Sequence, residues 1–206
     1  MAWAPDYCTA EELAAFVRHG DATDARLALA IAAASRAVDK AARRQFGAVA
    51  AAEARYYTAR WDALTSRWTV AIDDLMTTTD LAVAFDSDGD ETYADTITAH
   101  TLRNRNAAAE GRPWTELAIL STSDVQPTDA PDAVRVTAVW GWSAVPDAVK
   151  QATLLQASRL LVRRDSPYGV AGSPEAGTEI RLLERLDPDV AVVLAPYRRR
   201  RKVVFA

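Results

Sequence analysis

The chain has one cysteine, Cys8, in 206 residues. No disulfide can form within it, and no Cys/His spacing suits zinc. That usage fits assembly in a reducing compartment such as bacterial cytoplasm. Histidine is nearly absent: His19 and His100 fall in different expected elements. His19 reads as a helix C-terminal residue favoured by the dipole, and His100 lies in a strand or its loop. No Gly-x-Ser-x-Gly elbow and no phosphate-cradling glycine loop is present. The Gly-x-x-Gly of Gly169 to Gly172 follows a helix end, not a strand. No apolar run approaches a membrane span. The opening MAWAPDYCTAEE lacks a basic region followed by an apolar core, so no signal peptide is expected. These absences leave no assembled nucleophile, metal or phosphate motif. The expectation is a protein that is not an enzyme, takes no cofactor and holds no metal.

Hydrophobic residues make up 50% of the chain, enough to bury a core, and charged residues 25%, typical of a globular protein. Net charge is −4, unevenly placed. Arg198, Arg199, Arg200, Arg201 and Lys202 are consecutive; without them 19 basic residues face 28 acidic ones, a body of −9. An acidic body with a basic tail suggests that the tail meets a partner.

The first residues read as helix. Thr9-Ala10-Glu11-Glu12 has the pattern of a capping box, and Leu13, Phe16 and Val17 then share a face, up to Gly20. Thr23 or Asp24 starts a second helix to about Arg44, with Leu27, Ile31, Ala34, Val38 and Ala41 as its stripe. Arg36, Asp39, Lys40 and Arg43 fall mostly off that stripe, and Gly47 breaks the helix. From about Ala54 to Trp142 the texture changes to short runs rich in aromatic and β-branched residues. These are 56–58, 67–72, 81–85, 93–98, 117–120 and 134–140, separated by Asp, Gly, Thr, Ser and Pro clusters. Five or six strands in a small sheet or barrel are expected. Arg103 to Pro113 reads as a loop. A helix opened by Pro146 carries Val149, Ala152, Thr153, Leu155, Gln156 and Leu160 and stops near Arg163-Arg164-Asp165. The segment Asp165 to Gly177, with Pro and Gly, suits no single regular element; it is expected to be ordered only by neighbours. Asp187-Pro188-Asp189 starts a last helix through Val190, Val193 and Leu194. The expected fold is α+β: mainly a helical bundle from residues 1–53 and 143–197, a β-rich insert at 54–142, and a basic tail at 198–206.

Two acidic groups call for a chemical reading. Asp86, Asp88 and Asp90 could be the first, third and fifth ligands of a calcium loop. The sixth position, where a glycine is needed, is Glu91, and the twelfth is Ile97. A solvated hairpin turn is the expectation. Asp73-Asp74 could be half of a two-metal nuclease site; with no partner motif, it reads as a strand-end turn. The six tryptophans, Trp3, Trp61, Trp68, Trp114, Trp140 and Trp142, could stack single-stranded nucleic acid. The strand region has no basic balance to match, so core and subunit-interface roles are expected. After the basic run, Val203-Val204-Phe205 is apolar and β-prone, suited to adding a strand to a partner's sheet edge.

The stretch from Val134 to Arg199 has a specific order. An alternating strand ends in Trp140-Gly141-Trp142, a Pro146-started helix follows, then Arg-Arg-Asp-Ser-Pro-Tyr-Gly-Val and a Leu-Asp-Pro…Pro-Tyr-Arg ending. This resembles the head–tail connector (adaptor) proteins of tailed bacteriophages; between Ala48 and Ala130 little matches that family. The resemblance implies a structural subunit of a homo-oligomeric, dodecameric ring beneath the portal protein. Packaged DNA would pass through its channel, and the next tail-proximal connector or stopper protein would dock below. It implies a place in the virion, at the head–tail interface, after assembly in the host cytoplasm, with no membrane partner. On this reading Arg198 to Lys202 with Val203, Val204 and Phe205 bind the portal, and Trp140, Gly141, Trp142 and Pro146 form a structural turn. The channel surface is expected to be neutral to acidic so that DNA slides, with Asp86 to Glu91 one candidate. Two alternatives stand beside it: a small metal-dependent nuclease or hydrolase using residues 73–74 and 86–91, and a monomeric nucleic-acid-binding module using the tail and tryptophans.

Overall fold

A computed structural model describes residues 3–18, 21–165, 170–171, 180–181 and 187–199. The chain divides into two units: Met1–Trp3 with Gly47–Ala144, and Ala4–Phe46 with Val145–Ala206.

The expectation of a mainly helical bundle is overturned. Among the described residues, four helices are accompanied by two antiparallel sheets of four strands each, 31% helix against 23% strand. The reason lies in short strands that sequence periodicity passes over. Ala59–Asp62 and His100–Leu102 have too few residues to display alternation, yet each closes an edge of a sheet.

The strand unit holds β1 (Glu53–Tyr57), β2 (Ala59–Asp62), β3 (Arg67–Leu75), β4 (Ala82–Phe85), β5 (Asp95–Thr96), β6 (His100–Leu102), β7 (Trp114–Ile119) and β8 (Val134–Ala138). One sheet runs β1-β8-β4-β5 and the other β2-β3-β7-β6. The single residue Thr58 carries the chain from one sheet to the other. Strand β8 shows the driving pattern: Val134, Val136 and Ala138 are buried, and Arg135 and Thr137 alternate outward. A half-buried strand requires this period of two. Both sheets feed one apolar cluster that includes Ile72, Leu75, Phe85, Leu117, Val136 and Trp140. At roughly 1.5–3 kcal/mol per large apolar side chain buried, this core is the main stabilising term of the unit.

The helical unit holds α1 (Ala10–Val17), α2 (Ala25–Ala42), α3 (Asp147–Asp165) and α4 (Pro188–Leu194). The Thr9 capping box forms in both directions, with Glu12 N donating to Thr9 Oγ1 at 3.2 Å and Thr9 N donating to Glu12 Oε2 at 2.9 Å. Asp24 caps α2, and Asp187 caps α4 ahead of Pro188. Pro146 stands one place before α3, its carbonyl accepting from Val149 and Lys150. The central helix is α3, against which α1, α2 and α4 pack. The α2 stripe is Leu27, Ile31, Ala34 and Val38, closed by Ala42 instead of Ala41. In α1 the buried residues are Leu13 and Ala14, whereas Phe16 is exposed. Asp39 lies on the buried side of α2 because Tyr7, ahead of α1, donates its hydroxyl hydrogen to it, and Phe46 N donates to Tyr7 Oη at 3.0 Å. A short ribbon, β9 (Val170–Ala171) with β10 (Ile180–Arg181), interrupts the segment after α3. The rest of Asp165 to Gly177, apart from Asp165 itself, lies outside the described residues, as do His19 and Gly20. Among the described residues, no helix is long and apolar enough to cross a membrane.

Candidate functional site

The structure builds a tightly constrained corner around Trp140-Gly141-Trp142. Strand β3 carries a register shift between Ala71 and Leu75, a bulge that re-aims the residues inside it. Gly141 lies in the gap: its N–H donates to the Asp74 carbonyl at 2.7 Å, and it bridges Leu75 in parallel. On its other side the chain at Gly47 to Val49 runs antiparallel. Trp142 N donates to the Gly47 carbonyl at 2.9 Å, and Val49 N donates to the Trp140 carbonyl at 2.9 Å. Gly141 is thus the middle of three backbone segments, at φ 113°. A β-carbon there would meet the Gly47 carbonyl oxygen at 2.1 Å and the Ala48 Cα at 2.7 Å. Only glycine fits both the dihedral and the space.

The two tryptophans fix the corner from either flank. Trp142 is buried and donates its indole N–H to Asp74 Oδ2 at 2.9 Å. Trp140, fully buried, donates to the Glu53 carbonyl at 2.9 Å and lies against the Tyr57 ring at 5.8 Å. Arg55 sits over the Trp140 ring at 5.1 Å and over Trp3 at 4.3 Å. Its guanidinium also pairs with Glu53 at 2.6 Å and Asp73 at 2.7 Å. Burial works against the Arg55 charge, but these two carboxylates outweigh it and hold the group charged. Burial first, and then the Asp73 charge, push the Tyr57 phenol above its ordinary range.

Asp73-Asp74 is therefore not a strand-end turn. Both residues lie inside β3, where neighbours point to opposite faces. Asp73 turns to Arg55 and Tyr57, and Asp74 to Trp142. They do not converge on one ion, and they do not join the other acidic group. Among the described residues, the carboxylates whose oxygens gather within 4.8 Å are Asp86, Asp88 and Asp90. Asp86 spends its oxygens on the turn, accepting from Gly89 N at 2.8 Å and Glu91 N at 2.9 Å. Desolvation opposes its charge, yet these backbone donors hold its carboxyl below the usual range. Repulsion from Asp90, first, raises Asp88. Calcium takes six to eight oxygens, so these three carboxylates would need carbonyl or water oxygens beside them.

The basic run begins at a defined place. Arg199 N donates to the Ala42 carbonyl at 2.8 Å, and Tyr197 stacks edge-on against Phe46 at 6.0 Å. Arg198 and Arg199 therefore start from the C-terminal end of α2, where cations are favoured. Arg200, Arg201, Lys202, Val203, Val204 and Phe205 lie outside the described residues. Gly47, Asp74, Arg55 and Trp3 are the partners that sequence reasoning missed. For Asp74 the signal was a carboxylate pair after the apolar run Val70-Ala71-Ile72. The chain matches no protein-family model and no curated protein.

Proposed function

We propose that the chain is a structural head–tail connector subunit. It forms a ring beneath a portal protein, extends the channel for packaged DNA, and offers a surface to the next tail-proximal connector or stopper protein. The observation that carries this reading is the sequence order of features between Val134 and Arg199: strand, Trp-Gly-Trp corner, Pro-led helix and the Pro196-Tyr197-Arg198 ending. Two features support it. The corner is wedged among three backbone segments, which suits a rigid part of an assembly subunit. The basic run starts from an anchored point at the end of α2, which suits a docking arm. On this reading Arg198 to Lys202 are steered by an acidic portal surface, and Val203 to Phe205 add a strand to its sheet edge.

The test separates portal from DNA as the tail's partner. Deleting Val203 to Ala206 while keeping the arginines should lower affinity for purified portal rings by at least about tenfold, because the main-chain pairing is lost. Binding to short duplex DNA should change little. A truncated chain that docks on portals with unchanged affinity overturns the assignment.

A further inference from the structure

We infer that the exposed face of α2 is a docking surface for a second copy of this chain, seated on that copy's β4–β5 turn. Helix α2 packs one side on α1, α3 and α4. Its other side is exposed at Leu29, Ala32, Ala33, Arg36 and Lys40, and the cap residue Arg43 continues it. Steps of three and four put these residues on one stripe. The stripe has two halves. The first is apolar: Leu29 is 72% exposed, beside two alanines. The second is cationic and shows no carboxylate to solvent. Asp39, the one acidic residue within α2, is buried and turned to Tyr7 and Arg36. Arg36 is spent on Asp39 and on the carbonyls of Ala4 and Pro5, at 2.8 and 2.6 Å. Lys40, Arg43 and Arg198 pair with no carboxylate among the described residues. The bond from Arg199 N to the Ala42 carbonyl brings Arg198 to this end of the helix. A helix dipole favours cations in the last turn, but it gives no reason for an exposed leucine ahead of them.

The β4–β5 turn has the opposite charge. Tyr56, 51% exposed, and Tyr93 form a ring pair at 5.2 Å. Tyr93 Oη donates to the Asp132 carbonyl at 2.8 Å. After burial, the groups that raise the Tyr93 phenol are Tyr56, Asp86, Glu91 and Asp132, so the ring pair sits among carboxylates. Asp88, Asp90, Glu91 and Asp132 are all exposed. Repulsion between Asp88 and Asp90 marks charge that the chain leaves uncompensated. Against these stands Arg135, half-buried, over the Tyr93 ring at 5.0 Å. The turn is pre-formed, because Asp86 holds Gly89 N and Glu91 N from within.

The two surfaces match in both respects. Leu29 offers an apolar contact to the tyrosine rings, and Ala32 and Ala33, with nothing beyond a β-carbon, leave room for them. Lys40, Arg43 and Arg198 then meet the carboxylates of the turn. Apolar contact at the centre with complementary charge beside it is what a specific interface needs. A phosphate backbone would use the cations and leave Leu29 without a partner, so a protein surface fits the whole stripe better than nucleic acid does. The contact joins two different surfaces and is therefore heterologous. Each copy in a chain of contacts keeps one surface of each kind to pass on, and the assembly grows into a ring or a filament. This inference rests on the self-association in the proposed connector. It gives the acidic turn a neighbouring copy, not the channel, as what it faces.

Sedimentation of the full chain tests it with three variants: Lys40→Glu/Arg43→Glu, Asp88→Lys/Asp90→Lys and Leu29→Gln. All five positions are exposed, and circular dichroism verifies that the variants fold. The wild-type chain should associate at low salt and dissociate as the Debye length shrinks from about 10 Å toward about 3 Å. Each variant alone should lose at least about tenfold in association constant. An equal mixture of the two charge variants should assemble again, because the reversed helix fits the reversed turn and the native helix fits the native turn. A wild-type chain that stays monomeric at high concentration and low salt overturns the inference. So do variants that associate like the wild type, and so does a mixture that stays apart. Lys40→Glu/Arg43→Glu losing affinity for short duplex DNA while associating normally would make the stripe a phosphate contact and overturn it as well. Deleting Val203 to Ala206 should leave this association unchanged, so failure of the tail assignment and failure of this contact are read separately.

Discussion

Gly141 shows how much a single residue decides in this molecule. Its φ of 113° and the 2.1 Å approach of the Gly47 carbonyl to any β-carbon act together. Gly141→Val should cost about 3 kcal/mol or more, from dihedral strain and overpacking combined. Urea unfolding of the variant at wild-type midpoint would contradict the wedge. Trp142→Phe keeps most of the ring volume but removes a donor to the buried Asp74, an expected loss of about 2 kcal/mol. In an Asp74→Ala background the same change should cost clearly less, since the acceptor is gone; equal costs in both backgrounds would remove the hydrogen bond as the cause. Cys8 behaves differently from a reactive thiol. Burial first, and then Glu12 and Asp6, push it up to about 11. Thiolate is the reacting form, so labelling by a thiol reagent at neutral pH should be slow in the native chain and fast after unfolding. Rapid native labelling would show that the thiol is exposed.

At the scale of elements, local rules and distant contacts share the work. Helix α1 is short and needs its ends secured. Thr9→Ala should lower stability by about 1 kcal/mol. Glu12 also reaches across to α3, pairing with Lys150 Nζ at 2.7 Å. The Lys150 hydrogen bond first, and the Thr9 backbone next, hold the Glu12 carboxyl below its ordinary value, and Glu12 raises Lys150. A lowered carboxyl contributes stability above its unfolded pKa of about 4.3, lost as pH falls through the folded value. A raised amine contributes below about 10.4 and loses that on the alkaline side. The pair thus stabilises between those limits, modestly because both groups are part-exposed. Lys150→Met should flatten the acid-side fall in the urea midpoint; an unchanged slope would show that other carboxylates set it. Strand β3 illustrates the opposite case. Its alternation is plain from Trp68 to Ile72, and it then continues through two aspartates that composition would place in a turn. The bulge keeps them in the sheet because each finds a partner from another part of the chain.

For the whole molecule, the two units have separate apolar clusters. One spans both sheets, and the other gathers Leu13, Leu27, Ile31 and Ala157 from three helices. A unit with its own core can fold alone. A fragment of residues 47–144 should therefore unfold cooperatively in urea and keep the near-ultraviolet signal of its buried tryptophans. It lacks Trp3, so Arg55 loses one of its two ring partners, and its stability should match that of a Trp3→Ala full chain in this unit. A fragment with no cooperative transition would show that its core does not suffice.

Much of this was legible in the residues themselves. The capping box at Thr9, the caps at Asp24 and Asp187, the α2 stripe and the alternation of β8 depend on neighbours within a few positions, and sequence records those directly. Tertiary structure alone decided the balance of the fold and the content of the corner. The edge strands β2 and β6 have three or four residues each and form because a longer strand beside them supplies hydrogen bonds. Asp39 is buried because Tyr7, 32 positions away, reaches it. Asp74 is held within a strand because Trp142, 68 positions on, donates to it. Glycine at 141 could be suspected from its setting between two tryptophans, but the carbonyl that forbids a side chain belongs to Gly47. Contacts between residues so far apart depend on how sheets and loops close in space, and no local period or propensity encodes that closure.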